Sequence, residues 1–224
     1  MSASSGKSDT CASDGCGADG RFTVWITRHG EREDVADRRW MSKKQRAYDD
    51  PPLAEKGPLR RDSPHHLGRE EASPLPLFVE PGICEVLWDF PPGYLPATEL
   101  KSKYPLVDLS YKAHYKPVEG EMSDHDTYDR VAAVMGRLLD LSIGDVKLRG
   151  LTASGTRVEG GGGVLFVGHG ASVASIHEAL LGRFLYMGLC TLSRLDQVDA
   201  NKKFSLKFQG DAGHLSDKSN LRPW

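Results

Sequence analysis

Hydrophobic positions in this chain fall either into short continuous runs or into helical repeats. The stretch Arg21-Phe22-Thr23-Val24-Trp25-Ile26-Thr27 is rich in β-branched and aromatic residues and is stopped by the polar Arg28-His29-Gly30, which predicts a strand. Val164-Leu165-Phe166-Val167 is continuously apolar and stops at Gly168-His169-Gly170, which predicts an interior strand covered on both faces. After Gly170, the residues Val173, Ile176, Leu180 and Leu181 recur at helical spacing without proline. The second strand therefore feeds a helix directly and supplies half of an α/β unit. A further helix of about four turns, at roughly 3.6 residues per turn, is predicted after Ser123. There Ser123 and Asp126 form a capping-box pattern ahead of an apolar face of Val131, Val134, Met135, Leu138 and Leu141.

Between these elements the periodicity fades. The segment from about Asp50 to Pro117 carries Pro51-Pro52, Pro74, Pro76, Pro81, Pro91-Pro92, Pro96 and Pro105. It predicts loops and short elements, an excursion long enough to cover a site. Residues 1–20 are mostly Ser, Gly, Asp and Ala, with little to bury against their ordering entropy, and are expected to form a disordered tail. Gly150 to Gly163 ends in four glycines without the Lys-Ser/Thr of a phosphate-binding P-loop, and predicts a flexible insertion. Residues 216–224 read as a polar tail, which leaves 21–215 as one domain.

Composition narrows the function classes. A chain of 224 residues needs no disulfide or metal staple to build a core. The 29 Lys and Arg against 31 Asp and Glu give a net charge of −2, which favours neither nucleic acid nor an anionic membrane as partner. No apolar run approaches the roughly 20 residues of a membrane-spanning helix, and the N-terminus lacks a secretory or transit pattern, so the cytosol is the expected location. Cys11 and Cys16 have no downstream Cys/His set, and no zinc site is expected.

The candidate chemistry lies where the two strands stop. Arg28-His29-Gly30 and Gly168-His169-Gly170 place a glycine-flanked histidine at the carboxyl end of each strand, where α/β sheets bind ligands. Glycine permits close backbone approach, and the guanidinium forks of Arg28 and Arg32 suit phosphate. Together they suggest one oxyanion site.

Thr27-Arg28-His29-Gly30-Glu31-Arg32 resembles the Arg-His-Gly signature of the histidine phosphatase superfamily. Trp40, Asp50-Pro51-Pro52-Leu53 with Gly57, the stretch Val79-Glu80-Pro81-Gly82-Ile83-Cys84-Glu85, Asp126-Thr127-Tyr128 and Val167-Gly168-His169-Gly170-Ala171-Ser172 follow in the order of one branch. That branch holds the suppressor of T-cell-receptor signalling phosphatases and the ecdysteroid-phosphate phosphatases. The resemblance implies a phosphoglycerate mutase-like α/β fold, a three-layer sandwich with a mostly parallel central sheet. It implies His29 as a nucleophile that becomes phosphohistidine, Arg28, Arg32 and His169 as phosphoryl-binding groups, and Glu85 as proton donor, with Glu80 as the alternative if the loop is displaced. It implies neither metal nor cofactor, a phosphorylated small molecule or phosphoprotein as substrate, and a homodimer. A neutral imidazole is nucleophilic at pH 7, and a covalent intermediate divides one difficult displacement into two.

One departure bears on activity. Members of the family carry a Ser-Pro-x-x-Arg-x-x-Gln-Thr-like segment whose arginine also binds phosphate, but only 22 residues, Pro58 to Val79, separate Gly57 from Glu80 here. Ser63-Pro64 is followed by His65 and His66, so one helix-strand segment is missing from the expected fold, and Arg60, Arg61 and Arg69 stand as substitutes. The alternatives are a phosphate-binding or scaffold module without turnover, a phosphoglycerate mutase, and an incomplete gene product. Glu31, Glu33 and Asp34 read as a solvated acidic stretch, Cys84 as a packing residue, and Trp25, Trp40 and Trp88 as core or pocket wall. His114, His125, His177 and His214 read as structural or solvent-facing.

Overall fold

The computed structural model describes residues 22–37, 39, 53, 75–88, 90–141, 162–199, 203–219 and 221. Among the described residues, four strands and four α-helices follow in the order β1 (Phe22–Arg28), α1 (Glu33–Ala36), α2 (Ala97–Lys103), α3 (Asp124–Leu138), β2 (Gly162–Gly168), α4 (Gly170–Leu181), β3 (Leu192–Gln197) and β4 (Phe204–Asp211), with a 3-10 turn at Pro81–Ile83. The strands form one sheet in the order β2-β1-β3-β4. β1 and β2 are parallel, whereas β3 is antiparallel to both β1 and β4.

Among the described residues the sheet is therefore mixed, a correction to the mostly parallel sheet expected above. The reason is visible in β3 and β4, which the reading of continuous apolar runs passed over. Leu192-Ser-Arg-Leu and Phe204-Ser-Leu-Lys-Phe mix polar and apolar residues, as strands of antiparallel pairs commonly do.

Alternate residues of the strands, Val24, Ile26, Phe166 and Leu195, enter one buried cluster with Val131, Val134, Met135 and Leu138 of α3 and Val173 and Ile176 of α4. Both long helices thus close the same face of the sheet. The opposite face leaves Leu165 and Val167 more than half exposed, so β2 is covered on one face among the described residues and not on both as its sequence suggested.

α3 begins as expected, with Ser123 Oγ accepting from the Asp126 amide and the Asp126 carboxylate accepting from the Ser123 amide. α4 ends at Gly182, whose left-handed φ of 70° lets its amide reach the Glu178 carbonyl. At the C-terminal end Leu215 is buried, and the Leu221 carbonyl accepts from the Leu189 amide. The expected 1–20 tail, the insertion up to residue 161, Trp40, and the segment with Arg60, Arg61 and Arg69 lie outside the described residues.

Candidate active site

Strand register places the two histidines. β1 and β2 pair in parallel with Arg28 opposite Gly168, so the next residue of each strand, His29 and His169, must be neighbours. The His29 amide donates to the Gly168 carbonyl at 2.9 Å, and the two imidazole centroids lie 4.7 Å apart, close to the spacing of adjacent strands. His169 caps the N-terminus of α4 as well, where its amide donates to Ser172 Oγ at 2.9 Å.

The His29 ring hydrogen-bonds the Gly30 carbonyl through Nδ1. A carbonyl only accepts, so Nδ1 carries the proton and the lone pair of the neutral ring is on Nε2. Burial, then the neighbouring His169 ring, and more weakly Arg28 and Arg32, lower the His29 pKa to about 4. Burial and the arginines Arg32, Arg28 and Arg130 bring His169 to about 4 as well. Both rings are therefore neutral at pH 7, and His29 presents an unprotonated nitrogen.

An open cavity of about 220 Å³ lies in front of His29, lined by Arg28, Glu31, Arg32, Val35, Glu85 and Leu189. Of the five residues singled out from sequence, four line it: Arg28, His29, Arg32 and Glu85. His169 is not among the lining residues but has its ring against His29. The Arg28 guanidinium packs over Gly170, where a Cβ would lie 3.5 Å from its central carbon, at the start of α4. That position joins a guanidinium to the positive end of a helix, an arrangement that favours an anion.

Arg32 is held by a residue that the sequence reading left in a solvated stretch. Asp34 receives its Nε at 3.0 Å and its terminal nitrogen at 2.6 Å, a two-point clamp that also holds the Asp34 carboxyl below its usual pKa. The spacing of two residues in Arg32-Glu33-Asp34 was the available signal.

The two candidate glutamates separate clearly. Glu80 is buried, and its carboxylate accepts from the amides of Gly82, His114 and Tyr115 at 2.8, 2.6 and 3.3 Å and from the Tyr111 hydroxyl at 2.9 Å. Four donors commit it to holding the turn. Glu85 lies on the cavity wall, with one carboxylate oxygen accepting from the Val86 amide at 3.1 Å. Gly82 between them is pressed onto α3, where any side chain would collide with the Val134 methyl and Glu80. Cys84 packs against the core as expected, and burial pushes its thiol up to about 11. Trp88, in contrast, is 63% exposed and is neither core nor cavity wall.

Sequence reasoning missed Leu189 and a buried pair beneath the Glu85 loop. Leu189 reaches the cavity because it bridges to Arg28, a contact across 161 positions that no local pattern announces. The pair is Arg130 of α3 with Glu121, joined at 2.6 Å with the guanidinium fully buried. Among the described residues no group of three or more His, Cys, Asp or Glu is arranged to hold a metal ion, and no helix is long and apolar enough to cross a membrane.

A mixed α/β sheet with its helices, and paired histidines beyond the ends of two parallel strands, is consistent with a phosphoglycerate mutase-like fold. Comparison with solved structures agrees: the chain is similar to the ecdysone phosphate phosphatase of Bombix mori in complex with tungstate. The TM-score is 0.54 at 18% identity, over 83% of this chain and 92% of that one. At this identity the likeness is one of fold. No family model matches the sequence, and neither does any of the curated proteins.

Proposed function

We propose that this protein is a phosphomonoesterase that works through a phosphohistidine on His29. The observation that carries the reading is a neutral His29, its lone pair on Nε2, facing a cavity that also presents two guanidinium groups and the carboxyls of Glu31 and Glu85. Nε2 attacks phosphorus and the ester P–O bond breaks. Glu85 gives its proton to the departing oxygen, then as carboxylate takes a proton from the water that hydrolyses the phosphohistidine. Arg28 and Arg32 compensate charge on the phosphoryl oxygens, and His169, beside the nucleophile, is the third phosphoryl-binding group. The similar phosphatase is in complex with tungstate, a tetrahedral oxyanion like phosphate, which supports a phosphate ester as substrate.

At about 220 Å³ the cavity is smaller than the roughly 300–1,000 Å³ of a drug-sized ligand site. It suits the phosphoryl end of a substrate, with the leaving group outside. Aryl phosphates, phosphotyrosine and steroid phosphates fit that division.

The test is steady-state hydrolysis of p-nitrophenyl phosphate with a chelator present, alongside His29→Ala. Turnover lost on the order of 10⁴-fold or more in the variant is the expected result. Phosphate binding without turnover by the folded wild type would overturn it in favour of a binding module, and interconversion of phosphoglycerates would favour a mutase.

A further inference from the structure

Glu85 sits on a loop without regular structure, yet the backbone on both sides of it is tied to one buried guanidinium and its partner. Arg130 has five N–H donors, and five protein contacts use them. Nε donates to Glu121 Oε1 at 2.6 Å. One terminal nitrogen donates to the carbonyls of Gly82 and Cys84 at 2.9 and 3.3 Å. The other donates to the Glu85 carbonyl at 3.1 Å and to Glu121 Oε2 at 3.0 Å. On the far side of Glu85, the Leu87 amide donates to Glu121 Oε2 at 3.0 Å, and the Leu87 carbonyl accepts from the Glu121 amide at 2.7 Å. Thr127 Oγ1 donates to the same carboxylate at 2.8 Å.

Burial alone would raise the Glu121 carboxyl, but the hydrogen bonds and charge of Arg130 outweigh it and the net direction is down. The pair is thus ionised and fully used. A buried ion pair contributes little net stability compared with apolar packing, because desolvation offsets the attraction. What this one supplies is direction, since the planar fork fixes three carbonyls and the carboxylate fixes one amide.

We propose that Arg130 and Glu121 are positioning residues that hold the Glu85 loop so that its carboxyl meets the leaving oxygen. The inference rests on the reading of Glu85 as proton donor. Neither residue lines the cavity, so neither meets the substrate, and their hydrogen bonds to the 82–87 backbone are the route to Glu85.

The experiment compares kcat/KM across phosphate monoesters from p-nitrophenyl phosphate to a simple alkyl phosphate, for wild type, Glu85→Gln, Arg130→Lys and Glu121→Gln. A nitrophenolate departs with little help, whereas an alkoxide needs its proton. Loss of positioning should therefore cost about 100-fold or more on the alkyl ester and about 10-fold or less on the nitrophenyl ester. Glu85→Gln sets the reference for a site without the acid.

Steep leaving-group dependence in all three variants is the expected result. Equal losses on both esters in Arg130→Lys and Glu121→Gln, with Glu85→Gln steep, would overturn the positioning role while leaving Glu85 as the acid. Equal losses in Glu85→Gln would overturn the assignment of the acid itself, and the inference with it. Glu121→Gln nearly keeps the side-chain volume but turns one acceptor into a donor, which must face an N–H of Leu87 or Arg130. Its amide exchange supplies a readout that needs no activity. Faster exchange confined to residues 82–87 supports positioning, and faster exchange throughout α3 and α4 overturns it.

Discussion

His29 and His169 are placed by strand register over an apolar core, whereas Glu85 is placed by a charged pair buried under a loop. On the histidine side, Val24 and Ile26 of β1 are fully buried, and the backbone ladder carries the alignment to the last residue of each strand. On the glutamate side, the loop 82–87 hangs on Arg130, Glu121 and the packed Gly82. The first arrangement tolerates exchange of one apolar side chain for another of like volume. The second depends on each donor finding its acceptor, and removal of one partner leaves a charge in the core.

Four perturbations sharpen this contrast. The largest effect is expected from Arg130→Met, which strands the Glu121 carboxylate and should lower unfolding stability by about 3–5 kcal/mol. The denaturant midpoint measures it, and a loss below about 1 kcal/mol would mean that the loop is held by something else.

Acid acts on the histidine side instead. Both rings have a folded pKa of about 4 against an ordinary 6.5, so the unfolded chain binds protons first as pH falls. Their contribution is intact above about 6.5 and is lost on the way to about 4, on the order of 3 kcal/mol for one such ring. Buried His177 shifts in the same direction. Thermal unfolding from pH 7 to 4.5 should show a falling midpoint, and a flat profile would contradict rings held neutral by the fold.

Gly82→Ala drives a methyl into Val134 and Glu80 and should cost about 1–3 kcal/mol, with activity on alkyl esters falling alongside. The smallest effect belongs to Asp34→Asn. It weakens the clamp on a partly exposed Arg32 and should reduce kcat/KM roughly 10-fold, with a stability change under about 1 kcal/mol. Unchanged kcat/KM in that variant would remove Arg32 from the site.

The legibility of each region follows the same division. Strand ends and helix faces are written in neighbouring residues, so Arg28-His29-Gly30, Gly168-His169-Gly170 and the capped α3 are legible in the sequence. Glu85 emerged from a short motif, but the distinction from Glu80 did not, because it depends on donors from Tyr111, His114 and Tyr115 about 30 positions away. β3 and β4 were passed over because their mixed polar and apolar pattern lacks the continuous apolar run that marked β1 and β2.

By itself the sequence determined two strands with histidines at their ends, two amphipathic helices, and the expectation of an α/β fold like that of phosphoglycerate mutase. Local pattern suffices for these because hydrophobic period and turn chemistry act over a few residues. Tertiary structure alone decided that the sheet is mixed among the described residues, that Leu189 walls the cavity, and that Arg130 with Glu121 ties down the Glu85 loop. Those are contacts between distant residues, and a buried polar group takes its partner from whatever the fold brings within hydrogen-bond reach.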